Sequence, residues 1–209
     1  MTVRPYDAVL CDIDGVVRHW PPGDAIELAC GLPAGSIAGA HFSPSRLNPA
    51  ITGKITDEQW RSAVASDLAA RCGSADRARR AVQAWSMLEP RNDAEVVSLL
   101  AQARAVVTVA LVSNATTRLE QDLARHELSG LAHVVVSSAR IGVAKPDPGF
   151  YLVAAQQVGV PLNRCLFVDD TPINVAAASE LGMIAVHYRR SEDLRAALAP
   201  CLRPAEPDA

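Results

Sequence analysis

The alternation of apolar runs with amphipathic segments constrains the fold of this chain more than any other feature. Five runs have the composition of buried strands, the last more weakly than the others, and they cover residues 8–11, 106–112, 133–136, 165–168 and 182–187. The second run is rich in β-branched residues and is apolar on both faces except at Thr108. That pattern is typical of a central parallel strand covered by helices on both sides.

Segments with helical periodicity lie between the later predicted strands, and they cover residues 93–104, 116–126, 147–158 and 172–181. Thr171 directly precedes the last of them and is a candidate N-cap. Strands that alternate with helices along a chain indicate an α/β fold. We therefore predict a doubly wound, Rossmann-like parallel sheet.

Residues 18–88 break this alternation. The segment contains connections rich in proline and glycine, shows no strand pattern, and carries two strong helical patterns at residues 57–72 and 74–87. Because it separates the first predicted strand from the second, we interpret it as an insertion over the sheet. The predicted organisation is a core domain of residues 1–17 and 89–209 with a small all-helical cap domain of residues 18–88.

Composition and charge exclude several classes of function. The chain has 209 residues, of which 49% are hydrophobic, so it can bury a sizeable core. A net charge of −3 gives no basic surface for nucleic acid, and no apolar run is long enough to cross a membrane. Five cysteines without CxxC spacing indicate free thiols, and together with the lack of an apolar leader they predict a cytoplasmic protein.

Polar and charged side chains follow four of the five predicted strands. In chain order they are Asp12 and Asp14, Ser113 and Asn114, Lys145, and Asp169 and Asp170. The carboxyl ends of parallel strands meet at one edge of a sheet, where ligands bind. Turn formation explains an isolated Asp-Gly pair, but it does not explain the repetition at four strand ends.

These residue types suit phosphoryl transfer. Several carboxylates around one point require a hard cation such as Mg²⁺. One carboxylate can attack phosphorus, while a second can move the proton of the leaving alcohol. Lysine, hydroxyl and amide donors can hold the phosphoryl oxygens as charge develops.

Four motifs in order carry a resemblance to a known family. They read Asp-Ile-Asp-Gly-Val at 12–16, Leu-Val-Ser-Asn at 111–114, Ala-Lys-Pro-Asp-Pro at 144–148 and Phe-Val-Asp-Asp-Thr-Pro-x-Asn at 167–174. In these residues the chain resembles the haloacid dehalogenase-like (HAD) superfamily, specifically its Mg²⁺-dependent phosphatases with a helical cap inserted after the first motif. The resemblance covers residues 5–17 and 89–190, and the stretch 51–60 is similar to small-capped members, though less specifically.

The resemblance implies a role for each catalytic and phosphate-binding position. Asp12 would be the nucleophile and a metal ligand, and Asp14 the general acid and base with its backbone carbonyl on the metal. Ser113 and the Asn114 amide would hold phosphoryl oxygens. Lys145 would balance charge between the nucleophile and the phosphate.

The resemblance also implies the rest of the metal site. Asp169 and Asp170 would complete it directly or through water, and which of them is the direct ligand stays open. Asn174 would contact the ligands rather than the metal, with helix capping as the alternative. His19 and Trp20 lie just past the catalytic loop and are weaker candidates for substrate or gating contacts.

Three residues of the insertion, His41, Phe42 and Arg46, are weaker candidates still for substrate contact. Core packing is the favoured role of Trp60 and Trp85, which fall on apolar helix stripes.

The implied function is hydrolysis of a small phosphorylated metabolite through an aspartyl-phosphate with Mg²⁺ as cofactor, without nucleic-acid or membrane partners. A phosphomutase of the same family is the main alternative, since it would use the same intermediate. A dehalogenase is disfavoured because it needs neither a metal nor a proton donor. A non-catalytic interaction protein would be expected to lack the nucleophile or the lysine, and both are present. The sequence leaves the identity of the metabolite and the oligomeric state open.

Overall fold

A computed structural model of the protein describes residues 4–202. Five parallel strands form one sheet in the order β5-β4-β1-β6-β7. They are β1 (Ala8–Cys11), β4 (Thr108–Ser113), β5 (Val134–Ser137), β6 (Cys165–Asp169) and β7 (Ile184–His187). All five predicted strands are present within two residues of their predicted limits, which confirms the doubly wound parallel sheet.

Helices follow the strands of the sheet and cover both of its faces. They are α6 (Ala94–Arg104), α7 (Leu119–Arg125), α8 (Ser138–Ile141), α9 (Pro148–Val158), α10 (Pro172–Glu180) and α11 (Ser191–Leu202). The four helices predicted in this part of the chain correspond to α6, α7, α9 and α10, whereas α8 and α11 were not predicted.

Successive strand residues point to opposite faces of the sheet, and each face is buried in its own hydrophobic cluster. Val9 and Leu111 pack with α6, α7 and α11 on one face. Leu10 and Val112 pack with α9 and α10 on the other. The strands are apolar throughout because both faces are covered, and the only polar positions left to them are at their ends.

The inserted segment forms helices with a hydrophobic cluster of their own. The helices are α1 (Asp24–Ala29), α2 (Ser36–His41), α3 (Pro44–Ile51), α4 (Asp57–Cys72) and α5 (Ala75–Ser86). Helix α4 begins at a capping box between Thr56 and Gln59 and ends at Gly73, which has a positive φ. Leu68, Trp60 and Val82 are among the buried residues that join α4 to α5. The division into core and cap domains stays a prediction.

Two residues of the inserted segment form a strand instead of a helix or loop. Strand β2 (Arg18–His19) pairs antiparallel with β3 (Arg91–Asn92), and the N–H of Asp93 donates to the carbonyl of Val17 at 2.9 Å. The prediction of no strand in residues 18–88 is wrong here, because a two-residue pairing is too short to create a periodicity. This ribbon lies where the chain leaves the sheet and returns to it.

All five cysteines are free thiols, as predicted. Within residues 4–202, no helix has both the length and the apolar character that a membrane span requires.

Candidate active site

The register of the sheet brings the predicted site residues to its carboxyl edge. Cys11 at the end of β1 lies opposite Leu111 of β4 on one side and Val168 of β6 on the other. Asp12 follows directly, and its backbone N–H donates to the carbonyl of Val168 at 2.8 Å. Ser113, the last residue of β4, is also buried at this edge.

Lys145 joins two of the acidic residues. Its Nζ lies 2.8 Å from Asp12 Oδ1 and 2.6 Å from Asp169 Oδ2, and the side chain is almost fully buried. The main chain of Lys145 is held by the side-chain amide of Asn114, which accepts from its N–H and donates to its carbonyl, both at 2.8 Å. These two hydrogen bonds hold the main chain of Lys145 in place, so that its side chain starts from a defined position.

Burial and the charge of the ion-pair partner shift the pKa values of Asp12 and Lys145 in opposite directions. Burial raises the pKa of Asp12 to about 7, and the negative charge of Asp169 acts in the same direction, whereas Lys145 lowers it. Burial lowers the pKa of Lys145, but the two carboxylates outweigh it and raise that pKa above its usual value. Lys145 therefore stays charged, and a cation beside Asp12 would lower the pKa of that carboxyl group.

The two acidic residues after β6 have different environments. Asp169 is fully buried and accepts from Lys145, from the backbone N–H of Thr171 at 2.8 Å, and from the amide of Asn174 at 3.1 and 3.2 Å. Asp170 is half-buried and accepts from the hydroxyl of Thr171 at 3.2 Å. Thr171 precedes α10, but its side chain makes no capping bond to that helix.

Three carboxylates converge at this edge. Asp12, Asp169 and Asp170 each offer an oxygen, and the three atoms lie within 4.8 Å of one another. Burial, and then the charge of Asp169, raises the pKa of Asp170. The mutual repulsion and the all-oxygen donor set fit a hard divalent cation.

Gly15 allows Asp170 to reach this cluster, whereas the sequence indicated only a turn residue within the first motif. Its φ is +93°, and a Cβ at this position would lie 2.1 Å from Asp170 Oδ2. Only glycine satisfies both the backbone conformation and the close approach. The Asp-Gly pair was the available signal, but the partner lies 155 residues away in the chain.

Asp14 has a separate set of partners. Its Oδ1 accepts from Arg18 Nε and from Trp20 Nε1, both at 2.7 Å, and its Oδ2 accepts from Arg18 Nη2 at 3.3 Å. Trp20, a weaker candidate from the sequence, therefore lies beside a predicted catalytic residue, whereas Arg18 was missed. The side chain of His19 does not contact Asp14, and its Nε2 lies 3.8 Å from Asp93 Oδ2.

The weaker candidates in the inserted helices lie outside the acidic cluster. His41 is buried against the rings of Trp60 and Trp85. Arg46 makes two hydrogen bonds of 2.7 Å to Asp67, and Phe42 is exposed.

The inserted helices contact the core next to the end of β4. Asp57 at the start of α4 accepts from the hydroxyl of Thr116 at 2.7 Å, and its N–H donates to the hydroxyl of Thr117 at 3.0 Å. A Cβ on Gly53 would lie 2.1 Å from the carbonyl oxygen of Ala139. These contacts join the helical segment to the loop that follows β4 and to α8.

A Rossmann-like sheet that brings carboxylates and a buried lysine to its carboxyl edge has the architecture of an α/β enzyme. A profile of the haloacid dehalogenase-like hydrolases matches residues 44–182, which is more than half of the chain. The chain belongs to this family of hydrolases, as the motif order predicted.

Curated relatives match parts of the chain. A chloroplast flavin mononucleotide hydrolase of Arabidopsis thaliana is 37% identical over 68 residues, which are 32% of this chain and 28% of that protein. A glyceraldehyde 3-phosphate phosphatase of Methanopyrus kandleri is 31% identical over 111 residues, or 52% and 47% of the two chains. The chain therefore spans less than half the length of these relatives.

Solved structures share the fold over most of their length. A HAD-like family hydrolase from Porphyromonas gingivalis has a TM-score of 0.72 at 22% identity, over 96% of this chain and all of that one. A HAD family enzyme from Bacteroides thetaiotaomicron, solved with magnesium and inorganic phosphate, has a TM-score of 0.66 at 21% identity, over 85% and 91% of the chains. An L-2-haloacid dehalogenase from Xanthobacter autotrophicus has a TM-score of 0.61 at 20% identity, over 95% and 85%.

Proposed function

We propose that the protein hydrolyses small phosphomonoesters, with Asp12 as the nucleophile and Mg²⁺ as the cofactor. The observation that carries the proposal is the buried cluster in which Lys145 bridges Asp12 and Asp169 while Asp170 approaches the same point. This arrangement supplies a nucleophile, a fixed positive charge and a set of metal-binding oxygens at the edge where ligands bind.

The donor set supports the choice of metal. Asp12, Asp170 and the backbone carbonyl of Asp14 would hold Mg²⁺ directly. Asp169 already accepts hydrogen bonds from Lys145, Thr171 and Asn174, so it would act through a bound water and keep Lys145 in place. When bound, the cation neutralises the crowded carboxylates and the substrate phosphate.

The proposed reaction has two steps. Asp12 attacks phosphorus, and the bond from phosphorus to the alcohol oxygen breaks as Asp14 donates a proton to that oxygen. Ser113, the backbone N–H of Asn114 and Lys145 hold the phosphoryl oxygens. Asp14 then takes a proton from water, which attacks the aspartyl-phosphate, releases inorganic phosphate and regenerates Asp12.

Two further features support a phosphatase acting on small molecules. The names of the matched relatives include hydrolases of a flavin nucleotide and of a triose phosphate. The helices of residues 18–88 would serve as a cap that excludes water and bulky ligands from the edge of the sheet. Halide displacement would leave the proton donor Asp14 and the metal-binding Asp170 without a use.

A direct test is phosphate release from a panel of phosphorylated metabolites, measured with Mg²⁺ and with excess chelator. We expect turnover only with Mg²⁺ or a similar hard divalent cation, and at least one small metabolite should be preferred over phosphoproteins. Unchanged turnover in chelator would contradict the metal assignment. A product that retains its phosphate at another position would contradict hydrolysis and indicate the mutase.

A further inference from the structure

Asp14 is held by two side chains of the ribbon that leads into the helical segment. Arg18 Nε and Trp20 Nε1 both donate to Oδ1 at 2.7 Å, and the guanidinium group of Arg18 lies 5.2 Å from the centre of the Trp20 ring. The three residues form a closed group in which the indole N–H and the guanidinium converge on one carboxylate oxygen.

The backbone fixes this group. The N–H of Gly15 donates to the carbonyl of Arg18 at 2.9 Å, and the N–H of Arg18 donates to the carbonyl of Ile13 at 3.0 Å. Arg18 then pairs with Asn92 in the antiparallel ribbon. The loop after β1 is therefore closed on itself, and Asp14 and Arg18 face each other across it.

The stability of the fold does not explain why the buried position 18 carries an arginine. Only 3% of the residue is exposed, and its Nη1 is buried with no hydrogen-bond partner within residues 4–202. A buried guanidinium with an unpaired N–H is costly, and an apolar side chain of similar volume is often equally or more stabilising at such a site. The contacts that distinguish arginine from an apolar residue here are those to Asp14 and to the ring of Trp20.

The hydrogen bonds make the two oxygens of Asp14 unequal. Oδ1 receives two short bonds, whereas Oδ2 receives one bond at 3.3 Å. Oδ1 is therefore occupied by two donors, and Oδ2 is the less engaged of the two oxygens. Arg18 and Trp20 thus hold Asp14 mainly through Oδ1 and leave Oδ2 with a single longer hydrogen bond.

We infer that Arg18 and Trp20 are positioning residues that turn Oδ2 of Asp14 toward the leaving-group oxygen. The inference rests on the proposed phosphatase activity and adds two residues to it that lie outside the four motifs. Misplacement of a reacting group by about 1 Å lowers the rate by up to about 10²-fold. The loss should fall on the proton-transfer step and spare substrate binding.

The test compares two aryl phosphates of similar size, nitrophenyl phosphate and phenyl phosphate, in single-turnover experiments with Mg²⁺. Nitrophenolate leaves readily without a proton, whereas the more basic phenolate gains more from proton donation. Trp20→Phe keeps a six-membered aromatic ring and removes the N–H donor together with the five-membered ring that carries it. We expect it to slow phenyl phosphate about 10-fold more than nitrophenyl phosphate, within the range of general acid assistance, with KM unchanged. Trp85→Phe, in α5 against Arg61, is the matched control and should leave the ratio unaltered.

A double-mutant comparison separates positioning from a general structural effect. If Trp20 acts through Asp14, Trp20→Phe should have no further effect on the ratio in an Asp14→Asn background. Arg18→Lys should retain part of the wild-type ratio and Arg18→Met should not. If Trp20→Phe changes KM but leaves the ratio of the two ester rates unchanged, the inference is overturned. Trp20 would then contact the substrate rather than position Asp14. Wild-type protein inactive on both esters and on all of the metabolite panel would instead contradict the proposed function itself.

Discussion

The ammonium group of Lys145 lies 2.8 Å from Asp12 Oδ1 although both side chains are almost fully buried. Removing two charges from water is costly, and their attraction offsets that cost only while both partners are present. Asp169 adds a second carboxylate on the other side of the ammonium group. The proposed nucleophile is therefore part of the charge balance of the core, so substitutions here affect both activity and stability.

Asp12→Asn should abolish turnover and leave the fold intact. An amide is neither a nucleophile nor an anionic ligand. The change removes one of three crowded carboxylates while Lys145 keeps Asp169 as its partner, so Tm should be equal or higher. Phosphate release and thermal unfolding measured on the same preparation check both statements. Activity near that of wild type would mean that another group attacks phosphorus.

Lys145→Met should lose activity and also destabilise the protein by about 3 kcal/mol, because it leaves Asp12 and Asp169 buried without a cation. Urea unfolding near neutral pH measures the change in the free energy of unfolding. Lys54→Met is the matched control, since Lys54 is exposed, and it should change stability by less than about 0.5 kcal/mol. Equal effects of the two substitutions would contradict the charge balance described above.

Gly15→Ala should raise the Mg²⁺ concentration needed for half-maximal activity. The new Cβ would overlap Asp170 Oδ2 and displace a proposed metal ligand, in addition to the strain at φ +93°. Gly159→Ala is the control for strain alone, because Gly159 has a φ of +69° with nothing within 4 Å of its Cβ position. Backbone strain should cost both variants about 1 kcal/mol of stability, but only the first should change the Mg²⁺ dependence.

Asp14→Ala should separate the two steps of the reaction. With nitrophenyl phosphate the first step needs little proton assistance, whereas a sugar phosphate should lose about 10²- to 10⁴-fold. Hydrolysis of the aspartyl-phosphate should be slow with either substrate. We expect a burst of nitrophenol near one equivalent per enzyme, with phosphate retained on Asp12. Equal losses of the first step for both substrates would leave Asp14 with only a structural or metal-positioning role.

His41 should make the stability of the protein sensitive to acid. Burial, with a smaller contribution from Arg61, lowers the pKa of this histidine from 6.5 to about 4, while Asp57 raises it slightly. The unfolded chain therefore binds more protons below about pH 6.5, and stability falls as the pH drops from there toward 4. His41→Phe should reduce this decline by about 2 to 3 kcal/mol in urea unfolding at pH 4. An unchanged pH dependence would show that other groups cause it.

Local patterns were sufficient for the sheet and for the identity of the cluster at its edge. Strand interiors are apolar over four or more residues, so their limits and their polar ends are visible without a structure. Because parallel strands end at a common edge, Asp12, Ser113, Lys145 and Asp169 could be expected to lie together although they are far apart in the chain. The register of β1 with β4 and β6 agrees with that expectation.

Contacts that depend on side-chain direction were decided only by the tertiary structure. The sequence showed Gly15 as a turn residue, but the approach of Asp170 depends on how the loops after β1 and β6 meet. The pairing of Arg18 and Trp20 with Asp14 depends on a loop closed by a two-residue ribbon, which leaves no periodicity to detect. Periodicity reports which face of an element is buried, whereas the partner of a polar side chain is set by the three-dimensional path of the loops that carry it.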